Sequence, residues 1–322
     1  MAGIVQSGLD RPLVFAKDTL VCGKPASIQC YELFGQHYTK SGTFFTTLRL
    51  EDEWYEDVAD PERLIGALKR DGQIDADLFT FWQRIPDARP VHDYYHELEE
   101  IAVLPVTTYK DWWNKQIKSR VRNMIRKAER QGVEVRETEY DDPFIKGMTT
   151  IFNESPTRQG RQFWHYGKDF DTVKSQFSRY VYRERMVGAY FEGELIGFMM
   201  LGDAGRYCLT GQVLSSLKHR DKNTSNLLIA KAVEICEQRG FPYLVYFFWG
   251  DDSLSEFKRR CGFEGVKVPR YYVPLSWKGE LALRFGAHRG WKALVPPRLK
   301  DSLKRVRSSW YERRGGCRAS RG

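Results

Sequence analysis

At 322 residues the chain is long enough for two modest domains, and 42% hydrophobic with 29% charged residues is ordinary for a soluble globular protein. Its net charge of +9 sits at one end: residues 281–322 hold 12 Lys or Arg against two acids, Asp301 and Glu312, leaving 39 bases against 40 acids elsewhere. No stretch approaches the roughly 18 apolar residues of a membrane span, no signal-peptide pattern opens the chain, and the six cysteines form no CxxC pair and no metal-ligand spacing with the six histidines. These features exclude a membrane-spanning helix, a disulfide scaffold and a zinc module, and point to the cytoplasm with reduced thiols and no metal.

In chain order, residues 1–105 carry no chemical motif. Apolar-rich runs at 42–50 and 78–83 predict strands, and residues 61–70 predict a short helix with Asp60 placed to cap it. Thr108-x-x-Asp111 then opens a helix that Gly132 stops. Ile117, Val121, Met124, Ile125 and Ala128 recur at spacings of three and four, while Lys115, Lys118, Arg120, Arg122, Arg126, Lys127 and Arg130 occupy the other faces. The segment 109–131 is therefore expected to be one amphipathic, strongly basic helix.

A strand at 133–139 and a helix at 143–154 follow, then an aromatic-studded loop at 155–167 and a helix at 169–183. Runs at 186–191 and 195–201 flank the Glu192-Gly193 turn as a hairpin. The remaining elements are a strand at 207–214, a polar loop at 215–224, a helix at 226–239, a strand at 243–249, a short helix at 254–260, and strand, turn and strand over 266–275 around Pro269. No repeat at solenoid or propeller periods is visible.

That order of elements from residue 133 onward resembles the GNAT acetyltransferase fold. Lys218-His219-Arg220-Asp221-Lys222-Asn223-Thr224-Ser225 sits where that family binds the acyl-CoA diphosphate, and Leu254 to Phe263 is similar to its late helix ending in Gly-Phe. Val121 to Glu129, with Phe257-Lys258 ahead of Gly262-Phe263, resembles the FemAB-like branch. The resemblance spans residues 95–277. It implies an α/β fold, a mixed twisted GNAT-like sheet flanked by helices. It also implies that residues 1–105 are a reduced first GNAT-like half, 106–280 the acyltransferase domain, and 281–322 a basic amphipathic tail.

The resemblance further implies an N-acyltransferase that moves an acyl group onto an amine in a ternary complex. Acyl-CoA (acetyl-CoA among the candidates) is the expected co-substrate, and aminoacyl-tRNA the rival donor. Donor contacts fall on Arg220, Lys222, Asn223, Thr224, Ser225 and Asn226, since helix-start N–H groups and the helix dipole favour phosphate. Asn223 and Ser225 stand where the family has Gly and Gly or Ala; Asn tolerates positive φ, but Ser adds bulk. Lys258 replaces the family's Tyr acid and is expected to stabilise the oxyanion, so that Lys258→Met would stop transfer without disturbing folding. The loop Arg158, Arg161, Trp164, Tyr166 is expected to hold the acceptor, with His165 as general base. The competing reading is a non-catalytic nucleic-acid or anionic-membrane binder acting through the basic tail and the 109–131 helix, which would place the chain at the membrane periphery.

Overall fold

A computed structural model describes residues 12–21, 24–42, 44–70, 74–158 and 161–289. Strands β1 (Leu13–Val21), β2 (Lys24–Leu33), β3 (Gln36–Ser41) and β4 (Thr47–Leu50) form an antiparallel meander. Helix α1 (Pro61–Arg70) then crosses to β5 (Leu78–Trp82), which runs parallel to β4. Asp60 Oδ1 accepts from the Arg63 N–H at 2.9 Å, so α1 starts where its cap places it. The strand expected at 42–50 is shorter, because Gly42 takes a φ of +112° and breaks the extended run.

After β6 (His96–Pro105) the basic segment is not one helix. A turn α2 (Tyr109–Asp111), capped by Thr108 Oγ1, leads into a π-helical turn Trp112–Gln116; Ile117 is extended, and α3 (Ser119–Arg130) begins anew. The break is held by tertiary bonds invisible to periodicity. The Arg122 guanidinium donates to the Trp113 and Ile117 carbonyls at 2.8 and 2.6 Å, and the buried Trp112 indole donates to Cys261 O at 2.9 Å. The apolar stripe survives as expected: Ile117, Val121, Ile125 and Ala128 are buried, while Arg126, Lys127 and Arg130 face out.

Next come β7 (Glu134–Thr138), α4 (Asp142–Phe152), the two-residue strands β8 (Thr157–Arg158) and β9 (Arg161–Gln162), α5 (Phe170–Phe177), the hairpin β10 (Glu184–Phe191) and β11 (Glu194–Asp203), and β12 (Cys208–Ser215). Helix α6 (Thr224–Arg239) crosses to β13 (Tyr243–Tyr246), parallel to β12, and α7 (Ser253–Arg260) leads to β14 (Glu264–Pro274). The turn expected at Pro269 is absent, and β14 is one strand. The Pro269 carbonyl accepts from Gln83 N at 2.9 Å just beyond the end of the β5 ladder, so its missing N–H interrupts no pairing.

All long strands join one sheet in the order β1-β2-β3-β4-β5-β14-β6-β13-β12-β11-β10-β7. The order reads as two similar runs facing each other. Each has a meander, then a parallel pair joined through a helix (β4∥β5 through α1, β12∥β13 through α6). Between them lie two exchanged strands, each inserted beside the other run's parallel pair: β14 pairs with β5, and β6 with β13. Helices α3 and α6 bury one face of β10–β13, and α4 and α5 the other face of β10 and β11. This is a mixed α/β sheet flanked by helices in two tandem GNAT-like runs. No described helix is long and apolar enough to cross a membrane.

Helix α8 (Trp277–Arg284) runs through the expected boundary at residue 280. Ser276 caps it and donates to Asp77 Oδ1 at 2.6 Å; Ala282 is buried, and His288 lies 2.7 Å from Glu97 Oε1. The first nine residues assigned to the tail are thus part of the body, and residues 290–322 lie outside the described residues. Cys30, Cys208, Cys236 and Cys261 are buried free thiols.

Candidate active site

The parallel pair β12/β13 opens almost at once. Only Cys208↔Leu244 and Leu209↔Val245 are in register; beyond them β12 stays with β11, while Trp249 N turns to Glu100 O of β6 at 3.2 Å. The two strands are therefore neighbours, and they splay at their carboxyl ends, where open α/β sheets bind ligands. Opposite Met199–Leu201 the β12 register shifts, so Thr210 to Val213 spans one residue more than its partner. Such a bulge leaves one residue out of the ladder and is frequent beside active sites.

At one end of the cleft, Arg120, His219, Arg220, Asn223, Thr224, Ser225, Asn226 and Arg260 line a pocket of about 260 Å³ at the start of α6. Asn223 adopts the left-handed conformation (φ 53°) that the sequence assigned to a Gly-like position, and its side chain does not cap α6. Among the described residues, His219 Nε2 and Thr224 Oγ1 are buried with no hydrogen-bond partner, the former 3.6 Å from Glu194 Oε2. Three guanidiniums, uncapped helix N–H groups and the orphaned Thr224 hydroxyl suit an anion. Ser225 Oγ donates to Ser215 Oγ at 3.1 Å and pins the loop to β12. One expected donor contact is not available: the Lys222 ammonium lies 4.1 Å over the Phe191 ring. Asn226 lines the pocket, with its amide between Met124 and Cys261.

On the other side of β12, Trp54, Tyr180, Glu184, Gln212, Phe247 and Phe248 are among the walls of a pocket of about 350 Å³. Lys258 lies beneath this segment, fully buried, and donates to the carbonyls of Tyr246 (3.1 Å), Phe247 (2.6 Å) and Phe248 (2.6 Å). Burial lowers its pKa to about 8, with Asp252 opposing, so it remains an ammonium at neutral pH. All three N–H bonds are taken by backbone, leaving none for an oxyanion. Lys258 is a clamp on the cleft's floor, and the expected oxyanion role is corrected accordingly.

None of the expected acceptor residues lines either pocket, although Arg158 reaches Ser215 of the first and His165 packs on Phe177 of the second. Arg158 donates to Ser215 O and Ile151 O at 2.9 and 2.8 Å and to Glu154, so it braces β12 against α4 rather than gripping a ligand. Arg161, Trp164 and Tyr166 are exposed and line neither pocket. His165 is buried and stacked 4.7 Å on Phe152, and burial together with Lys168 lowers its pKa to about 4. A base so weak and enclosed does not suit amine deprotonation; His165 is a core residue.

Its lowered pKa has a sign that can be measured. The unfolded imidazole takes up a proton near pH 6.5 and the folded one only near 4. Stability contributed above pH 6.5 is therefore lost as pH falls toward 4. The melting temperature should drop over that interval, and His165→Phe should flatten the drop; an unchanged slope in the variant would assign it to other groups.

Sequence reasoning missed Arg120 and Arg260 as pocket residues, and missed Tyr55 and Glu184 altogether. Glu184 had one weak signal: it is the lone acid of strand β10, whose residues from Met186 onward carry no charge.

No protein-family model matches the chain, and no curated protein matches it in sequence. Solved structures do resemble it. The C-terminal domain of a protein named as a lysylphosphatidylglycerol synthetase from Agrobacterium fabrum is 14% identical, with a TM-score of 0.51 over 77% of this chain and 84% of that one. L-PGS from Bacillus licheniformis is 16% identical, with a TM-score of 0.50 over 74% and 81%. FemX is 10% identical, with a TM-score of 0.48 over 80% and 88%. The fold is GNAT-like, as the resemblance in sequence implied.

Proposed function

We propose that the chain is an N-acyltransferase that passes an acyl group from a phosphate-bearing donor to an amine in a ternary complex. The observation that carries this reading is the splayed β12/β13 pair, with an anion-suited pocket at the α6 start on one side and an aromatic pocket on the other. A donor anchored by its phosphates at Arg220 and Arg260 would lay its acyl group along β12. The unpaired residue of the bulge is then placed to offer a backbone N–H to the oxyanion, the role that Lys258 cannot fill.

We take acyl-CoA as the donor. An aminoacyl-tRNA is the second reading, and one observation favours it: Arg120 of α3 lines the pocket, and the exposed Arg126, Lys127 and Arg130 extend positive charge beyond what a diphosphate needs. Residues 290–322 and the outward Trp277, Leu281 and Phe285 of α8 are proposed as the contact with an anionic membrane face or RNA.

Calorimetric titration with CoA tests the donor site. Arg220→Ala and Arg260→Ala should each weaken CoA binding about tenfold, the worth of one charge-assisted hydrogen bond. CoA affinity indifferent to both substitutions, with tRNA binding that falls in the variants, would transfer the site to the second reading.

A further inference from the structure

We propose that the aromatic pocket beside β12 is a site for a primary ammonium group, and that Glu184, hydrogen-bonded to Tyr55, is the base that takes the amine's proton there. The proposal rests on the acyl-transfer reading for its second half only; ammonium binding stands on the pocket itself.

The pair is built into the sheet. Glu184 Oε1 accepts a short hydrogen bond from the Tyr55 hydroxyl, contributed by the turn before α1, 129 positions away. Two glycines on the neighbouring strands make room for it. A Cβ on Gly202 would lie 2.5 Å from the Tyr55 ring, and one on Gly211 would lie 3.1 Å from Glu184 Oε1. Gly211 belongs to the bulged stretch of β12, so the carboxylate reaches the cleft where the register shifts.

The chemistry of the walls selects the ligand. Trp54 meets Phe247 edge-on at 4.5 Å, and Tyr180 lies 4.8 Å from Tyr55, which surrounds the pocket with ring faces and edges. Aromatic faces attract cations, and a carboxylate among them fixes one that also donates hydrogen bonds. Glu184 makes no ion pair among the described residues, although it is largely buried, whereas its neighbours are matched: Arg183 with Glu56, and Arg179 with Asp52. A buried carboxylate without a cation is the configuration that a cationic ligand completes. Burial raises its pKa and the Tyr55 hydrogen bond lowers it, burial being the larger. Tyr140, Tyr180 and Arg183 face the pair, and Glu56, Asp57, Arg84, Arg185, Asp203 and Arg239 line a larger cavity on its far side.

Glu184 and Tyr55 also line this larger cavity, of about 880 Å³, together with Arg183, Asp203 and Arg239. The pair is thus a wall between the two spaces. In the reaction Glu184 takes a proton from R–NH3+, and the freed lone pair attacks the donor's carbonyl carbon. The C–N bond forms as the donor's C–S bond (or C–O bond, in an ester) breaks; the nitrogen's remaining extra proton leaves with the thiolate or alkoxide as thiol or alcohol. Glu184 then releases its proton through the larger cavity to water, which restores the carboxylate.

Benzylammonium and its neutral counterpart benzyl alcohol serve as probes, titrated by calorimetry or ligand-observed NMR. At neutral pH the wild type should prefer benzylammonium about tenfold, and Glu184→Gln should abolish the preference while leaving benzyl alcohol unchanged. Tyr55→Phe keeps the carboxylate and should keep the preference. In the wild type, benzylammonium affinity should rise with pH as Glu184 ionises while benzyl alcohol stays flat, a readout that survives if Glu184→Gln fails to fold. Equal affinity for both probes, or a flat profile for the ammonium, overturns the proposal. Loss of CoA binding without loss of ammonium binding would instead sink the donor reading and leave this site standing.

Discussion

Lys258→Met is expected to lower the melting temperature by on the order of 10 °C, not merely to slow turnover. Methionine matches the lysine's length and stays comfortably buried, so packing is preserved. What is lost is the one group that satisfies three carbonyls, those of Tyr246, Phe247 and Phe248. These carbonyls belong to the stretch where the chain leaves β13, with Phe248 at a φ of 64°. They have no ladder partner on the β12 side, because the pair has already opened. A buried polar group left without a partner costs about 1–3 kcal/mol, so three together put the loss at roughly 3–5 kcal/mol after local relaxation. Thermal unfolding followed by circular dichroism reads it directly. A variant with wild-type melting and no transfer would return Lys258 to the chemistry that its position in the sequence suggested.

The contrast shows where legibility ended. Local rules reached far: Asp60 starts α1, Thr108 caps α2, Gly240 ends α6 in the left-handed conformation, and Asn223 takes the positive φ expected of it. The parallel pair β12 and β13 also fits the order of elements, which carries topology. Partners set by long-range contact were not. Nothing near Lys258 in sequence says that its ammonium is spent on carbonyls 10 to 12 residues upstream, and a helix lysine followed by Arg259 and Arg260 looks the same whether clamp or catalyst. The loop around His165 drew attention by composition, yet Arg158 and His165 are consumed by the packing of α4 and α5. Tyr55 and Glu184 share a bond across 129 positions, and only the facing arrangement of the two runs brings them together. The exchange of β6 and β14 is equally silent in sequence, because their pairing partners lie far along the chain.

The second large effect concerns the C-terminus, where two truncations should behave oppositely. Ending the chain after Gly279 removes most of α8 and the turn Ala287–Arg289. That deletes buried Ala282 and the His288 ring, which packs 4.8 Å from Tyr272 and lies 2.7 Å from Glu97. Glu97 would also lose the Arg289 Nε–H at 2.7 Å; against burial, which raises its pKa, bonds from His288, Arg289 and Tyr95 hold its carboxyl below the usual range, and only the Tyr95 bond would remain. The expected result is a fall of several degrees in melting temperature or insoluble protein, for a loss of about 2–4 kcal/mol. Ending after Arg289 keeps every one of these contacts and removes only residues 290–322, which hold ten of the 12 basic residues counted from position 281. That form should melt as the full chain does and lose its salt-sensitive binding to vesicles rich in anionic lipid, or to RNA. Comparing the two lipid and RNA affinities at low and high salt separates the partners. If the form ending at Arg289 binds both as tightly as the full chain, the polyanion contact belongs to the basic face of α3 instead.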